Sequence, residues 1–481
     1  MKTCSLVVAC LTQLTLASTT VRLLLEEPRS ETPLSFRVRN THTRYADLLH
    51  EAEIIDASDS ASKDARTALE NQGDFGYFVS VDLGTPAQAL KLHVDTGSAA
   101  TWTSSKDCIR SKRCNELNGF DPSASLTFVN ETQPSTITYG VGKLKGYRSR
   151  ELINWGSFSV SNFTFVLADY EDQALFDQQA KMNDGLVGLT YQNGMKADTT
   201  GTNPDYYPSL ILHLFSNNLI ERPFFSLWLN GSTDGTTITS GGEILLGGIN
   251  QRYKTGELKN YPVATIGGSY YWSLEIDAVR IMKKDSLLIQ PIPGPLIGAS
   301  QKSFAILDSG TSFLACPSKV FRELVVNLAI QSGLQEGDIA YNTATGLAKV
   351  DCILAQSLSP LGFTFASASS TPFTYQLFWE DYVVNDGSNC YLAIQPLDLV
   401  GIKDAASVWV LGAVFLRRVY STYDFNGTIG LAYSSNTNKA SSLPQDTLRV
   451  ASKSEGQNQS GSGIGFSGIG TLLCLAAALF L

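Results

Sequence analysis

The sequence predicts a mostly β protein built as two pseudo-two-fold-related β lobes with a cleft between them. Three observations predict it. Short runs of β-branched and aromatic residues, broken by Gly, Pro and Asn turns, dominate from Phe75 onward. Only two segments, 208–219 and 318–332, carry amphipathic-helix spacing over any length. An apolar strand running into an acidic turn occurs twice, as Leu92-His93-Val94-Asp95-Thr96-Gly97-Ser98 and as Phe304-Ala305-Ile306-Leu307-Asp308-Ser309-Gly310-Thr311.

Taken in chain order, Tyr77-Phe78-Val79-Ser80-Val81-Asp82-Leu83 reads as the first clear strand, and Ala89-Leu90-Lys91-Leu92-His93-Val94 as the strand that delivers Asp95. Phe163-Thr164-Phe165-Val166-Leu167 is a further strand. A second echo follows each acidic turn: Gly185-Leu186-Val187-Gly188-Leu189 after the first, Trp409-Val410-Leu411-Gly412 after the second. Two similar halves, each with one acidic turn, place a site at their junction, with the half boundary near 250–265.

A chain of 481 residues exceeds one ordinary core, which agrees with two lobes. Hydrophobic residues at 43% and charged residues at 17% exclude disorder. The net charge of −9, without a Lys/Arg-rich block, excludes nucleic acid as a partner. At the start, Lys2 precedes an apolar run from Cys4 to Leu16, too short for a membrane span, with Ala17 as a small residue for cleavage. At the end, a small polar stretch from Ser454 to Gly463 precedes the uncharged apolar segment 464–481, the pattern of a glycosylphosphatidylinositol anchor signal. A single-pass anchor is the alternative, weakened because no Lys/Arg follows the tail. The expected organisation is therefore signal peptide 1–17, propeptide 18–66, N-terminal lobe 67–255, C-terminal lobe 256–440, polar linker with anchor site 441–463 and hydrophobic tail 464–481. The route is secretory, ending at the cell surface through a lipid anchor.

Of eight cysteines, Cys4, Cys10 and Cys474 leave with the signals. Cys108 with Cys114 would close a short loop and Cys352 with Cys390 a longer one, leaving Cys316 as a buried thiol. Sequons at Asn130, Asn162, Asn230, Asn426 and Asn458 suit a secreted glycoprotein.

The acidic turns carry a definite chemistry. One carboxylate can activate water while a second, protonated carboxyl protonates a peptide carbonyl, with neither metal nor covalent intermediate. Two adjacent Asp cannot both ionise freely, so the pair shares a proton. Gly97 and Gly310 allow close backbone approach, Thr96 and Ser309 can brace one turn against the other, and Ser98 and Thr311 can donate to the carboxylates.

These stretches resemble the pepsin-like aspartic protease family over residues 75–435. The matching motifs are Tyr77-Phe78 with Gly84-Thr85-Pro86-Ala87-Gln88, Val94-Asp95-Thr96-Gly97-Ser98 with Trp102, Ile137-Thr138-Tyr139-Gly140, Asp184-Gly185-Leu186-Val187-Gly188-Leu189, Ile306-Leu307-Asp308-Ser309-Gly310-Thr311-Ser312, and Trp409-Val410-Leu411-Gly412 with Phe415-Leu416-Arg417. The layout also resembles the fungal, surface-anchored yapsin-like branch. The resemblance implies a pepsin-like bilobal fold, an aspartic endopeptidase acting on peptide or protein substrates, catalytic Asp95 and Asp308, no cofactor or metal, and a monomer. It implies that Tyr139 and Gly140 belong to a flap hairpin closing on substrate, with the Tyr139 hydroxyl reaching the Trp102 indole. It implies a zymogen whose Arg-rich segment 18–66 occupies the cleft until acid weakens the ion pairs. No dibasic pair lies near Arg66, so self-cleavage is the expected maturation route.

Three departures bear on substrate. Val141 stands where relatives often carry Thr or Ser, and Ala413 where they often carry Asp. The loop between Cys108 and Cys114 is short and basic, with Arg110, Lys112 and Arg113, where yapsin-like enzymes often carry an acidic insertion, which argues against a preference for Lys/Arg substrates. The rival readings are a catalytically silent pepsin-fold binding protein, another hydrolase, and a structural surface glycoprotein. Both acidic turns are whole, no His-Glu-x-x-His or Gly-x-Ser-x-Gly motif occurs, and a Ser/Thr/Pro stalk is short or absent.

Overall fold

The computed structural model describes residues 65–71, 76–116, 118–139, 142–176, 183–191, 209–231, 238–266, 271–282, 302–343, 346–367, 372–385, 388–397 and 407–435. The expected signal peptide, nearly all of the expected propeptide, the linker, the tail and Asn458 lie outside them. Among the described residues no helix is long and apolar enough to cross a membrane.

The architecture is mostly β and bilobal, as the turn-punctuated sequence predicts. The first fourteen strands are β1 (Ala65–Asn71), β2 (Tyr77–Leu83), β3 (Gln88–Asp95), β4 (Trp102–Ser104), β5 (Val129–Tyr139), β6 (Gly142–Trp155), β7 (Phe158–Glu171), β8 (Gly185–Gly188), β9 (Phe224–Leu229), β10 (Ile238–Leu246), β11 (Lys254–Pro262), β12 (Ser273–Ile281), β13 (Ser303–Leu307) and β14 (Leu314–Cys316). β1 begins at Ala65, two residues inside the segment expected as propeptide, and pairs from there with Leu246 of β10.

The two sequence echoes become one topological unit used twice. In the first half, β8 lies between β3 and β4, parallel to β3 and antiparallel to β4. In the second, the strand Ser407–Leu411 lies between β13 and β14, parallel to β13 and antiparallel to β14. The acidic loop of each half therefore crosses the end of the inserted strand. Gly412 marks that crossing, because a Cβ there would stand 2.3 Å from the Phe313 carbonyl oxygen and 2.4 Å from that of Thr311. β8 and β13 are wholly buried apolar runs rather than alternating strands, as expected where both faces are covered.

A thirteen-stranded sheet contains β1 to β11 together with the last hairpin, Val419–Asp424 and Thr428–Ser434. That hairpin sits between β9 and β11, so C-terminal chain completes a sheet begun in the first half. A seven-stranded sheet carries β12, β13, Ser407–Leu411 and β14.

The helix expected at 318–332 spans Ser318–Gln331 and buries Phe321, Leu324, Val325, Leu328 and Ala329, which is helical spacing. The one expected at 208–219 is shorter, Leu210–Ser216. It stops because the Asn217 amide donates to the His213 carbonyl and Asn218 turns to a φ of 55°. Both expected disulfides are bonded, Cys108–Cys114 and Cys352–Cys390, and the Cys316 thiol is buried.

Candidate active site

Strand β3 ends on Asp95 and β13 ends on Leu307, so each half delivers an acidic turn at the end of a buried strand. The two turns are locked by a nearly symmetric set of bonds. The Thr96 N–H donates to Ser309 Oγ at 3.1 Å, and the Ser309 N–H donates to Thr96 Oγ1 at 2.9 Å. Each hydroxyl then donates across the junction, Thr96 Oγ1 to the Leu307 carbonyl at 2.8 Å and Ser309 Oγ to the Val94 carbonyl at 2.9 Å. Residues 213 positions apart thus form one braced unit. Thr96 and Ser309 are 0% and 1% exposed, so these bonds are shielded from competing water.

Each carboxyl group is held in the same way. Asp95 Oδ1 accepts the Gly97 N–H at 2.9 Å, and Asp308 Oδ1 accepts the Gly310 N–H at 2.9 Å. The Ser98 hydroxyl donates to Asp95 Oδ2 and the Thr311 hydroxyl to Asp308 Oδ2. The turns touch closely enough that a Cβ on Gly97 would stand 2.7 Å from both Cγ and Oδ1 of Asp308. Glycine at 97 is therefore a steric requirement of the facing carboxyl group. Asp95 and Asp308 are both buried, whereas Gly97 and Ser98 are partly exposed and Ala99 is exposed, so the approach is past the first turn.

The hairpin β5–β6 pairs Tyr139 with Gly142 at its described end; Gly140 and Val141 lie outside the described residues. The Tyr139 hydroxyl accepts the Trp102 indole N–H at 2.8 Å, the contact that the resemblance implied. Ile137 and Tyr139 pack on a buried group that includes Ala100, Trp102, Leu144, Val166 and Leu175. Asp172 holds the hairpin close to this end, its Oδ2 accepting the Lys143 N–H at 3.0 Å and its Oδ1 the Leu175 N–H at 3.0 Å. Ala413 is fully buried and its N–H donates to the Thr311 carbonyl at 2.7 Å, so a methyl group occupies that position. Of the expected glycosylation residues, Asn130 and Asn162 are exposed, while Asn230 and Asn426 are half-buried.

Sequence reasoning missed two features near the site. The first is a buried carboxyl pair, Glu116 with Glu171, at 4% and 3% exposure. Glu171 ends β7 opposite Leu144 of the hairpin strand β6 and accepts the Asn115 N–H at 3.2 Å. Burial, then a hydrogen bond to Glu116 and its charge, raise the Glu171 carboxyl from 4.5 to about 10. Cys114 lies beside the pair, but its sulfur is bonded to Cys108, so the group offers two carboxyls and no thiolate to a metal. The second is an aromatic cluster under the acidic turns, with Tyr423 stacked on Phe225 at 4.6 Å and Trp272 against Tyr191, Tyr423 and Phe425. Burial raises the Tyr423 hydroxyl well above its usual range, with the Asp308 charge adding to the shift. A glutamate beside another polar residue, Asn115 at 116 and Asp172 at 171, gives no sequence signal of burial. Trp272, in an aromatic run with Tyr270 and Tyr271, reads only as strand.

Comparison with known proteins agrees with this geometry. A family model described as eukaryotic aspartyl protease matches residues 76–434. Pepsin A of Sus scrofa is 30% identical over 365 residues, covering 76% of this chain and 83% of the relative. Cathepsin E of Aquarana catesbeiana is 28% identical over 396 residues, covering 81% and 88%. The crystal structure of the aspartic proteinase from Irpex lacteus superposes with a TM-score of 0.61 at 20% identity, covering 79% of this chain and 100% of that one, a likeness of fold.

Proposed function

The chain belongs to the eukaryotic aspartyl protease family and is an aspartic-type endopeptidase, and on that premise we propose that Asp95 and Asp308 are its catalytic carboxyl groups. The observation that carries the assignment is the reciprocal Thr96–Ser309 bonding, which brings the two acidic turns into contact. As in aspartic proteases generally, two carboxyls so close hold one proton between them at acid pH. The ionised one takes a proton from a water held between them, and the water oxygen adds to the scissile carbonyl carbon. The protonated one donates to the carbonyl oxygen. The carboxyl that took the water proton then passes it to the leaving nitrogen, the other takes back a hydroxyl proton from the adduct, the C–N bond breaks, and no bond to the enzyme forms. Thr96, Gly97, Ser98, Ser309, Gly310 and Thr311 fix the orientation of the pair, which is the larger part of what such a site supplies. Tyr139, its hydroxyl held by the Trp102 indole, covers the substrate.

Asp95→Asn and Asp308→Asn each remove one role without changing shape. Both purified variants are expected to lose cleavage of a peptide pool at acid pH while keeping the wild-type thermal midpoint. Normal turnover by either defeats the assignment.

The enzyme is further proposed to be a monomeric secreted zymogen, glycosylated at Asn130, Asn162, Asn230 and Asn426. Because β1 starts at Ala65, self-cleavage upstream of that residue preserves the Ala65–Leu246 pairing. An Asp95→Asn chain that matured at the wild-type site would assign the cut to another protease. The uncharged segment 464–481 supports a lipid anchor of the kind used by fungal surface proteases. Release from cells by a phosphatidylinositol-specific phospholipase is the expected sign, and retention argues for another attachment.

A further inference from the structure

We infer that Trp272 is a positioning residue for the acidic pair, an inference that rests on the catalytic assignment above. Trp272 precedes β12 and is fully buried. It bonds to both halves at once. Its carbonyl accepts the N–H of Leu307, the residue before Asp308, at 2.8 Å. Its indole N–H donates to the Leu189 carbonyl at 2.7 Å. The Leu189 N–H in turn donates to the Asp95 carbonyl at 2.8 Å, and the Thr96 hydroxyl donates to the Leu307 carbonyl at 2.8 Å.

These bonds close on themselves. Starting at Asp95, the path runs along the chain to Thr96, across to Leu307, through its N–H to Trp272, through the indole to Leu189, and back to Asp95. The ring includes the first carboxylate residue and the residue that precedes the second. The indole is its one side-chain link besides Thr96. The bracing between Thr96 and Ser309 fixes the tips of the turns, whereas this ring fixes the strand ends from which they leave.

The indole is clamped by Tyr191 at 4.8 Å, Phe425 at 5.1 Å and Tyr423 at 5.2 Å between ring centres. Substitution by Phe keeps an aromatic ring among these neighbours and removes the donor. The Leu189–Asp95 end of the ring is then free to drift relative to Leu307. Small misplacement of reacting groups costs rate far more than it costs binding.

The test compares Trp272→Phe with Phe373→Leu, which loosens the Tyr375–Tyr433 aromatic group outside the clamp and leaves the ring of bonds untouched. Trp272→Phe is expected to lower kcat about tenfold or more with KM within about twofold. Phe373→Leu is expected to lower the thermal midpoint and leave kcat unchanged. Wild-type kcat in a folded Trp272→Phe enzyme overturns the inference, as does an equal loss of kcat in Phe373→Leu. If Trp272→Phe does not fold, Tyr191→Leu takes its place. It frees one face of the indole, and kcat must fall at constant KM; an unchanged kcat overturns the inference. Asp95→Asn and Asp308→Asn run alongside. Activity in those two variants sinks the catalytic assignment, whereas inactivity there with full activity in Trp272→Phe sinks only the role of the indole.

Discussion

Replacing Glu171 by Gln keeps the shape of the buried pair and removes the proton that it shares with Glu116. The Glu171 carboxyl is raised from 4.5 to about 10, chiefly by burial and then by Glu116. The folded chain therefore holds a proton there that the unfolded chain releases. A carboxyl raised in this way favours the fold fully below about pH 4.5, and that favour is lost as pH rises through the window up to about 10. One extra bound proton sets the slope at no more than about 1.4 kcal/mol per pH unit. Between pH 5 and pH 7 the wild type should lose up to about 3 kcal/mol from this group alone. The Gln side chain still donates an N–H to Glu116 and accepts the Asn115 N–H, but has nothing to ionise. The assay is urea unfolding followed by tryptophan fluorescence at pH 4, 5, 6 and 7, in an Asp308→Asn background that prevents self-digestion. Carboxyls outside the pair are common to both proteins, so only the difference between the curves matters. The expected result is coincidence near pH 4 and a Glu171→Gln protein progressively more stable than its parent toward pH 7. Parallel curves across that range would refute the shared proton.

Two further outcomes are expected at the site. Gly97→Ala sets a methyl group 2.7 Å from the Asp308 carboxyl carbon, so kcat should fall by about a hundredfold or more while the fold survives; near-normal kcat would show that the turns can separate without harm. Tyr139→Phe removes the acceptor of the Trp102 indole, a bond of ordinary net strength, so kcat/KM should fall by about twofold to tenfold with little change in thermal midpoint; an unchanged kcat/KM would release this contact from any part in turnover.

What could be read from sequence was what depends on neighbours in the chain. Both acidic turns announce themselves because strand, acid, hydroxyl and glycine are contiguous. The helix at Ser318–Gln331 was legible because its buried residues recur at helical spacing over several turns. The single helical turns Cys352–Ala355, Trp379–Tyr382 and Ala413–Leu416 carry no such period, and tertiary contacts decide them. The Trp102–Tyr139 contact was reached through resemblance, since nothing local links strands 37 positions apart. Glu116 and Glu171 look like surface residues in any window, because a carboxyl's burial depends on a partner 55 residues away that supplies its hydrogen bond. The indole bond of Trp272 depends on Leu189, 83 positions earlier, and on a main-chain acceptor that has no sequence signature.

The placement of the last hairpin between β9 and β11 has a consequence for biosynthesis. While the chain is being made, β9 emerges with one edge open and β11 with no neighbour at all, and both wait until residues 419–434 have left the ribosome. Once made, the first half is thus a template with unfilled positions until the last described strands follow, and such edges recruit strands from other chains. A fragment ending before Val419 should therefore be recovered as aggregate rather than as a folded half-enzyme, and the two halves are not interchangeable modules despite their shared plan.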